Sequence, residues 1–417
     1  MNKIIKTFTA GLVMTGFLVF NVNGQTAYIS DGIDMVSVID LVSNSIVKSI
    51  HVGHKPVGVI VSPYGNEVFI TNSSSNTVSV INATSNTVTA TIPVDSFPIG
   101  ITINPNGTMV YVSNYTSNSI SFISTLTNTV VNTLVAGNGP YGIACSPDGT
   151  KLYVANMNDS SVYIINTATN IISNTIRVGT LPTGIVVSPD GSKVYVTNQD
   201  IHGTVSVINS ITNTVSATIA VRVYPTGIAI SPDGNTVYVS NTGYGTINVI
   251  NAVTDSISAT IETGNTPVGL SLNLDGTKLY VVNDGDGTVN AINTSTNMII
   301  DTIGGMFSAS AFGNFISSFI QPLGIPSQTP PSPNITLYPN PANTILNIQS
   351  PSPLDNGQLI ITDVLGNEVY HELLPSTVNC QLSIVNWSAG IYFYELRSEG
   401  TGLQMPTSAR GKFIVQK

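Results

Sequence analysis

One spacing governs the chain. The aromatic residue of a recurring YVxN-like unit falls at Tyr28, Phe69, Tyr111, Tyr153, Tyr195, Tyr238 and Tyr280, at intervals of 41, 42, 42, 42, 43 and 42 residues. A period that regular belongs to a repeat architecture, and the content of one period decides which. Between Gly142 and Pro182 there are four short apolar or alternating runs: Gly142 to Ser146, Lys151 to Ala155, Ser161 to Ile165, and Ile171 to Ile176. Turn signals separate them, at Pro147-Asp148-Gly149, Asn156 to Ser160, Asn166 to Asn170, and Gly179 to Pro182. None has helical spacing, and Thr, Val and Ile fill them, as a twisted antiparallel sheet prefers. Four strands in 40 to 45 residues make a β-propeller blade, so seven periods predict an all-β, seven-bladed propeller.

An open β-solenoid is the competing architecture, and it would leave two bare edges or need capping repeats. The termini discriminate. The first period begins at its YVxN strand and lacks the strand before it, while the last is followed by Phe312-Gly-Asn-Phe-Ile-Ser317. Gly313 and Ser317 match Gly58 and Ser62, so the far end is expected to supply the missing strand of the first blade and close the ring without a covalent link. Seven glycines (Gly58, Gly100, Gly142, Gly184, Gly227, Gly269 and Gly313) are expected to start the innermost strands, where backbones crowd the axis.

Tyr153-Val-Ala-Asn156, Tyr195-Val-Thr-Asn198 and Tyr238-Val-Ser-Asn241, each preceded by Ser-Pro-Asp-Gly, resemble the YVTN family of β-propeller repeats found in surface-layer and other exported prokaryotic proteins. The resemblance covers about Gln25 to Gln321 and implies a seven-bladed fold in an extracytoplasmic setting. It implies no reaction, because propellers host many functions.

The chain has 417 residues, of which 8% are charged and 42% hydrophobic. An ordinary soluble protein carries roughly 25% charged residues, so the polar surface here is built from hydroxyls and amides. Residues 1–24 read as a secretory signal peptide: Lys3 and Lys6 precede an uncharged stretch from Thr7 to Phe20, then a small-residue exit at Val22-Asn-Gly24. That stretch falls short of the ~20 apolar residues of a membrane span, and no later segment is long enough, so no transmembrane segment is expected in the mature chain. Its removal takes the formal charge from -9 to -11, which argues against nucleic acid or an anionic membrane as partner. Cys145 and Cys380 lie far apart, and Cys145 occupies a repeat position held elsewhere by Val61, Ile103 and Val187. Free thiols are expected, Cys145 as a buried small hydrophobe.

After Gln321 the period stops. Residues 322–334 read as a Pro-rich linker, and 335–417 as a second, small β-sandwich with runs near Thr344–Gln349, Gln358–Asp363, Leu382–Val385, Gly390–Leu396 and Lys412–Val415. Four motifs in order, Leu337-Tyr338-Pro339-Asn340-Pro341, Asp363-Val-Leu-Gly366, Ser388-Ala-Gly390-Ile-Tyr392 and Lys412-Phe-Ile-Val415, resemble the C-terminal sorting domain of type IX (Por) secretion cargo in Bacteroidetes. That implies the type IX machinery as a partner, passage through the periplasm, and a final location at the outer-membrane surface or outside the cell. The Gly411-Lys412 ending and the long stretch Ser398 to Arg410 depart from the usual pattern.

Residues repeated in every blade are explained by the fold, so Asn72, Asn114, Asn156, Asn198, Asn241 and Asn283 are expected to close turns through side-chain hydrogen bonds. Function is sought where the repeat is broken. On the face that holds the loops before PxG and after YVxN, the non-repeated residues are His54, Lys55, Phe97, Tyr115, Tyr141, Arg222, Tyr224 and Tyr244. Aromatics with Arg and Lys are anchors suited to a surface glycan or protein ligand. Asp31, Asp34, Asp284 and Asp286 fall in loops that closure makes neighbours, an oxygen-rich arrangement of the kind that holds Ca²⁺, although Asp284-Gly-Asp-Gly287 is also a plain tight turn. No other cofactor is expected. His51, His54, His202 and His371 hold no equivalent repeat positions, and no GxSxG elbow occurs, so no catalytic residue is assigned. The sequence therefore predicts an exported, non-enzymatic binding propeller. The alternatives are a propeller enzyme of lactonase or lyase type and a structural surface-layer subunit.

Overall fold

The structure is a computed structural model that describes residues 25–316 and, farther on, 336–338, 344–349, 357–363, 368–374, 379–388, 390–398 and 408–415. The expected signal peptide (1–24) and linker (322–334) lie outside the described residues. The chain divides into two compact units, the first ending at Leu323.

In the first unit seven four-stranded antiparallel sheets follow one another. The second blade is typical, with strands Pro56–Val61, Glu67–Asn72, Thr77–Asn82 and Thr87–Pro93 running from the inside outward. Most turns within a blade need a left-handed residue, and the sequence places Gly, Asn, Asp or Ser there: Gly65 (φ 68°), Asn76 (φ 56°) and Asn86 (φ 51°) in this blade. Antiparallel order fixes the two faces of the ring. The loops before each PxG and the turns after each YVxN share what we call the upper face, and the SPDG turns lie on the lower.

The YVxN strand carries the core. Tyr28, Phe69, Tyr153, Tyr195 and Tyr280 are among the largest fully buried side chains, packed between neighbouring sheets. The Tyr28 hydroxyl donates to Asn86 Oδ1 of the next blade at 2.9 Å, so the buried ring keeps a partner for its polar end. Each repeated Asn is fully buried and donates across its turn: Asn72 Nδ2 reaches Thr77 Oγ1 and Ser79 Oγ, both at 3.0 Å. These asparagines hold turns, as the repeat predicts.

Closure is made from the far end of the unit. Ala309–Ser310 pairs antiparallel with Asp31 and Ser30, Ala27 bridges Ile316, and Tyr28 N–H donates to Phe315 O at 3.0 Å. Ile316 stands opposite Ala27 as Val61 stands opposite Val68, so the expected register holds at that end. At the other end the match fails. From Ala309, which pairs at the place of Pro56, to Ile316 there are two more residues than from Pro56 to Val61. The excess bows the strand toward the second blade, where Phe312 N–H donates to Val57 O and accepts, through its carbonyl, the Val59 N–H at 2.8 Å. Gly313 therefore differs from the other six inner-strand glycines: it alone has a left-handed φ, 110°, and a Cβ there would stand 2.4 Å from Val59 O. Phe315 is completely buried in the resulting core, which contributes on the order of 2 kcal/mol toward holding the ring shut.

The second unit has a three-stranded sheet, Thr336–Tyr338, Ile345–Gln349 and Asn379–Ser383, and a four-stranded one in the order Glu368–Leu374, Gly357–Thr362, Gly390–Ser398, Ser408–Val415. Leu346 and Leu382 of the first sheet share a core with Leu359, Ile361, Tyr392 and Val415 of the second, which makes the unit a β-sandwich. Among the motif residues, Tyr338, Gly390, Tyr392 and Lys412 lie on strands, and the Tyr392 hydroxyl donates to Ser388 O at 3.0 Å. Pro339, Asn340, Pro341 and Gly366 lie outside the described residues.

Candidate ligand face of the propeller

The residue before each PxG proline takes a left-handed backbone in six blades: Lys55 (φ 55°), Phe97 (φ 60°), Gly139 (φ 64°), Leu181 (φ 51°), Tyr224 (φ 55°) and Thr266 (φ 55°). Five of these are not glycine, and each costs of order 1 kcal/mol or more relative to relaxed backbone. The hydrogen bonds of the adjoining loops impose the conformation. Tyr115 N–H, for example, donates to Phe97 O at 2.9 Å, and Phe97 N–H to Asn76 Oδ1 at 2.9 Å. The upper rim thus carries a ring of side chains held in a conformation that sequence propensity disfavours.

Four of the eight candidate residues join into an arc on this rim. Lys55 Nζ lies 5.4 Å from the centre of the Phe97 ring, and Phe97 lies 6.2 Å from Tyr115. Tyr115 meets Tyr141 edge to face at 6.2 Å, and Tyr141 meets Phe312 at 5.6 Å. Gly139 leaves room for this: a Cβ there would stand 3.0 Å from Tyr115 Cε2. Burial pushes the Tyr141 hydroxyl up to about 12, so it remains a neutral donor at physiological pH. Two more candidates form a separate pair on the sixth blade, with Arg222 Cζ 5.6 Å from the Tyr244 ring centre. Tyr224 is exposed beside them, its ring edge 3.1 Å from where a Cβ on Gly243 would be. His54 is exposed and joins neither group; its backbone N–H donates to Ser75 Oγ and its carbonyl accepts from Ser74 N–H.

Sequence reasoning missed Phe312, whose ring reaches the axial mouth only because the closing strand is two residues longer than its counterparts. It also missed Ile33 and Phe307, exposed at 68% and 87%, in the loops around the closure. The lone Gly139 in an otherwise bulky column was the available signal for the left-handed ring.

The four acidic residues are engaged locally. Asp31 sits where other blades have the turn asparagine and accepts from Ser37 Oγ at 2.8 Å and Phe307 N–H at 2.6 Å. Asp284 accepts from Ser308 Oγ at 2.8 Å, Asp286 from Asn265 N–H at 2.6 Å, and Asp34 lies 3.8 Å from His51 Nδ1. Two of the acids therefore grip the closing segment at Phe307 and Ser308. Among the described residues no three of His, Cys, Asp and Glu are grouped closely enough to hold a metal ion.

The axis itself is aliphatic. Ile101, Ile143, Ile185, Ile228 and Leu270 form a waist, with a cavity of about 70 Å³ above it and one of about 430 Å³ opening below. Cys145 is half-buried in the lower cavity rather than buried in the core, because the inner strand of its blade faces the axis there. Its thiol is free, and burial pushes it up to about 12. The side chain of Cys380 lies outside the described residues.

Residues 62–201 match the family model of the YNCE-like β-propeller, and residues 336–406 match that of the secretion system C-terminal sorting domain. The first unit is a seven-bladed β-propeller that matches the YNCE-like family over those residues, and the chain carries a type IX sorting domain. The sorting domain implies interaction with the type IX secretion system, export, and a secreted or cell-surface location. No helix among the described residues is long and apolar enough to cross a membrane. No curated protein matches the chain. Among solved structures, a functionally unknown protein from Desulfotomaculum acetoxidans DSM 771 is similar with a TM-score of 0.62 and 19% identity, over 71% of this chain and 98% of its own. Hydrazine synthase from Kuenenia stuttgartiensis is similar with a TM-score of 0.55 and 20% identity, over 62% of this chain and 87% of its own. At such identities the likeness of this propeller to either is one of fold alone.

Proposed function

We propose that this YNCE-like propeller is a non-enzymatic binding module that meets its ligand on the upper face. The observation that carries the reading is the arc Lys55, Phe97, Tyr115, Tyr141 and Phe312, a half-buried row of rings at the mouth of the axis. Such rings bury much area with few rotatable bonds to freeze, which suits them to anchor a partner. A lactonase- or lyase-type enzyme would need several His, Glu or Arg side chains or a metal converging on the axis, and none of these side chains is among the described residues that line the two axial cavities. The ligand class best matched to aromatic rings flanked by amides such as Asn158, within 3.5 Å of the Tyr115 hydroxyl, is a glycan. A glycan array probed with the full chain tests this. Binding that is lost in Phe97→Ala and Tyr115→Ala supports it, and binding indifferent to both overturns the placement. Silence on the array together with lattice formation by the purified chain would favour a structural surface-layer role.

A further inference from the structure

The lower cavity belongs to no part of that reading. It opens on the face of the SPDG turns, and the aliphatic waist separates it from the aromatic arc. Its volume, about 430 Å³, falls within the ~300–1,000 Å³ of ordinary small-molecule sites. The floor is the ring of Ile101, Ile143, Ile185, Ile228 and Leu270, and the walls rise through residues such as Cys145, Val187, Ile230 and Leu272.

The room comes from one column of the repeat. The residues two places after the inner glycines are Thr102, Ala144, Val186, Ala229 and Ser271, mostly smaller than the Ile60 that the second blade has there. Five blades therefore step back where a full set of isoleucines would fill the space.

The chemistry of the lining selects the occupant. None of the described residues around the cavity carries a charge, so an ionic group placed there would lose its hydration without a partner. The polar side chains are few, although backbone groups share the wall. Ser271 Oγ already donates to Asn314 Oδ1 at 2.7 Å, and Asn273 is held by Thr277 and by Lys278 N–H. Water beside the aliphatic side chains gains little there, so its displacement from them by apolar surface is favourable, while the backbone groups leave room for one or two neutral polar atoms on the occupant. The cavity narrows at the aliphatic waist and opens on the lower face, a shape and size that suit a compact molecule entering from below.

We propose that the lower end of the channel is a binding site for an uncharged, predominantly apolar small molecule. Its occupancy is independent of the upper face.

The test uses the full chain and two fluorescent probes of one skeleton, neutral N-phenyl-1-naphthylamine and anionic 1-anilinonaphthalene-8-sulfonate. The neutral probe is expected to saturate at one site per chain and to bind more tightly than the sulfonate by roughly tenfold or more, the scale of a buried uncompensated charge. Ala144→Phe and Ala229→Phe, which fill the column, are expected to weaken the neutral probe by a similar factor, while Tyr115→Ala on the upper face leaves it unchanged. Should either filling variant fold poorly, protection supplies the second readout in the unaltered chain: with N-ethylmaleimide at alkaline pH, where the raised Cys145 thiol ionises enough to react in the unliganded chain, the neutral probe should slow its modification, mapped by peptide mass. Absence of saturable binding, equal affinity for the two probes, or unprotected Cys145 at saturation would overturn the proposal.

Discussion

Phe312, from the end of the propeller sequence, stands edge-on to Tyr141 of the fourth blade, with ring centres 5.6 Å apart and planes at 84°. The contact crosses the mouth of the axis and links the closing segment to blades that it does not pair with. An aromatic pair of this geometry contributes about 0.5–1.5 kcal/mol beyond its buried area. Phe312→Ala and Tyr141→Ala should therefore couple by that amount in a double-mutant cycle read by denaturant unfolding. Strict additivity would show that the rings meet without consequence.

Gly313 has the left-handed φ of 110° and the close approach to Val59 O described above. Gly313→Ala should destabilise the propeller by about 1–3 kcal/mol, with a lowered melting temperature and an earlier loss of blade-one protection in hydrogen exchange. Protection elsewhere in the ring should fall later.

Leu181 is exposed and left-handed. Leu181→Gly should relieve the backbone and leave stability unchanged or raise it, by up to about 1 kcal/mol. A clear loss of stability would mean that the leucine side chain, and not the loop hydrogen bonds, holds that backbone.

Lys193 Nζ bonds both Asp255 oxygens at 2.9 Å and Ala252 O at 2.7 Å, tying the fifth blade to the outer turn of the sixth. Both side chains are partly shielded, so the pair exceeds an ordinary surface bridge without the full cost of a buried one. Lys193→Met should cost about 1 kcal/mol in thermal or denaturant unfolding, with only weak dependence on salt.

Asp148, Asp190 and Asp233 in the SPDG turns, and Asp275 in the equivalent Asn273-Leu-Asp-Gly276 turn, all titrate below the usual carboxylate range, first because of a neighbouring hydroxyl. For Asp190 the Ser188 hydroxyl leads, followed by Ser192 N–H, and the value falls to about 2. A depressed folded value stabilises the fold above the unfolded value of about 3.9 and is lost as pH falls through the folded one. Acid unfolding should therefore steepen between about pH 4 and pH 2, and Asp190→Asn should flatten that limb. These groups are exposed, so the effect should shrink with added salt.

The blades were legible because their causes are local and repeated: turn glycines and asparagines, alternating Val and Ile, a buried aromatic every 42 residues or so. Closure was legible from the absent first strand, and Ile316 takes the expected place opposite Ala27. The two-residue excess that bows Phe312 into the mouth was not, because a single strand without a repeated partner gives no column to compare. On the candidate face the sequence supplied residue types but no distances. Lys55, Phe97, Tyr115 and Tyr141 converge because loops of successive blades are neighbours around the ring, whereas His54, one residue from Lys55, takes no part in the ring contacts of the arc. The aspartates illustrate the opposite lesson: nearness in the closed ring was foreseeable, but Asp31 is occupied as the first blade's counterpart of a turn asparagine.

The grip of Asp31 on Phe307 N–H joins residues 276 positions apart. Until the chain has been made up to that point, the opening strand is paired on one edge only, and six finished blades must wait with one flank unsatisfied. Assembly of this ring is accordingly bound to end on contacts of very long sequence range, a slow step that leaves the nearly complete molecule adhesive to its own kind.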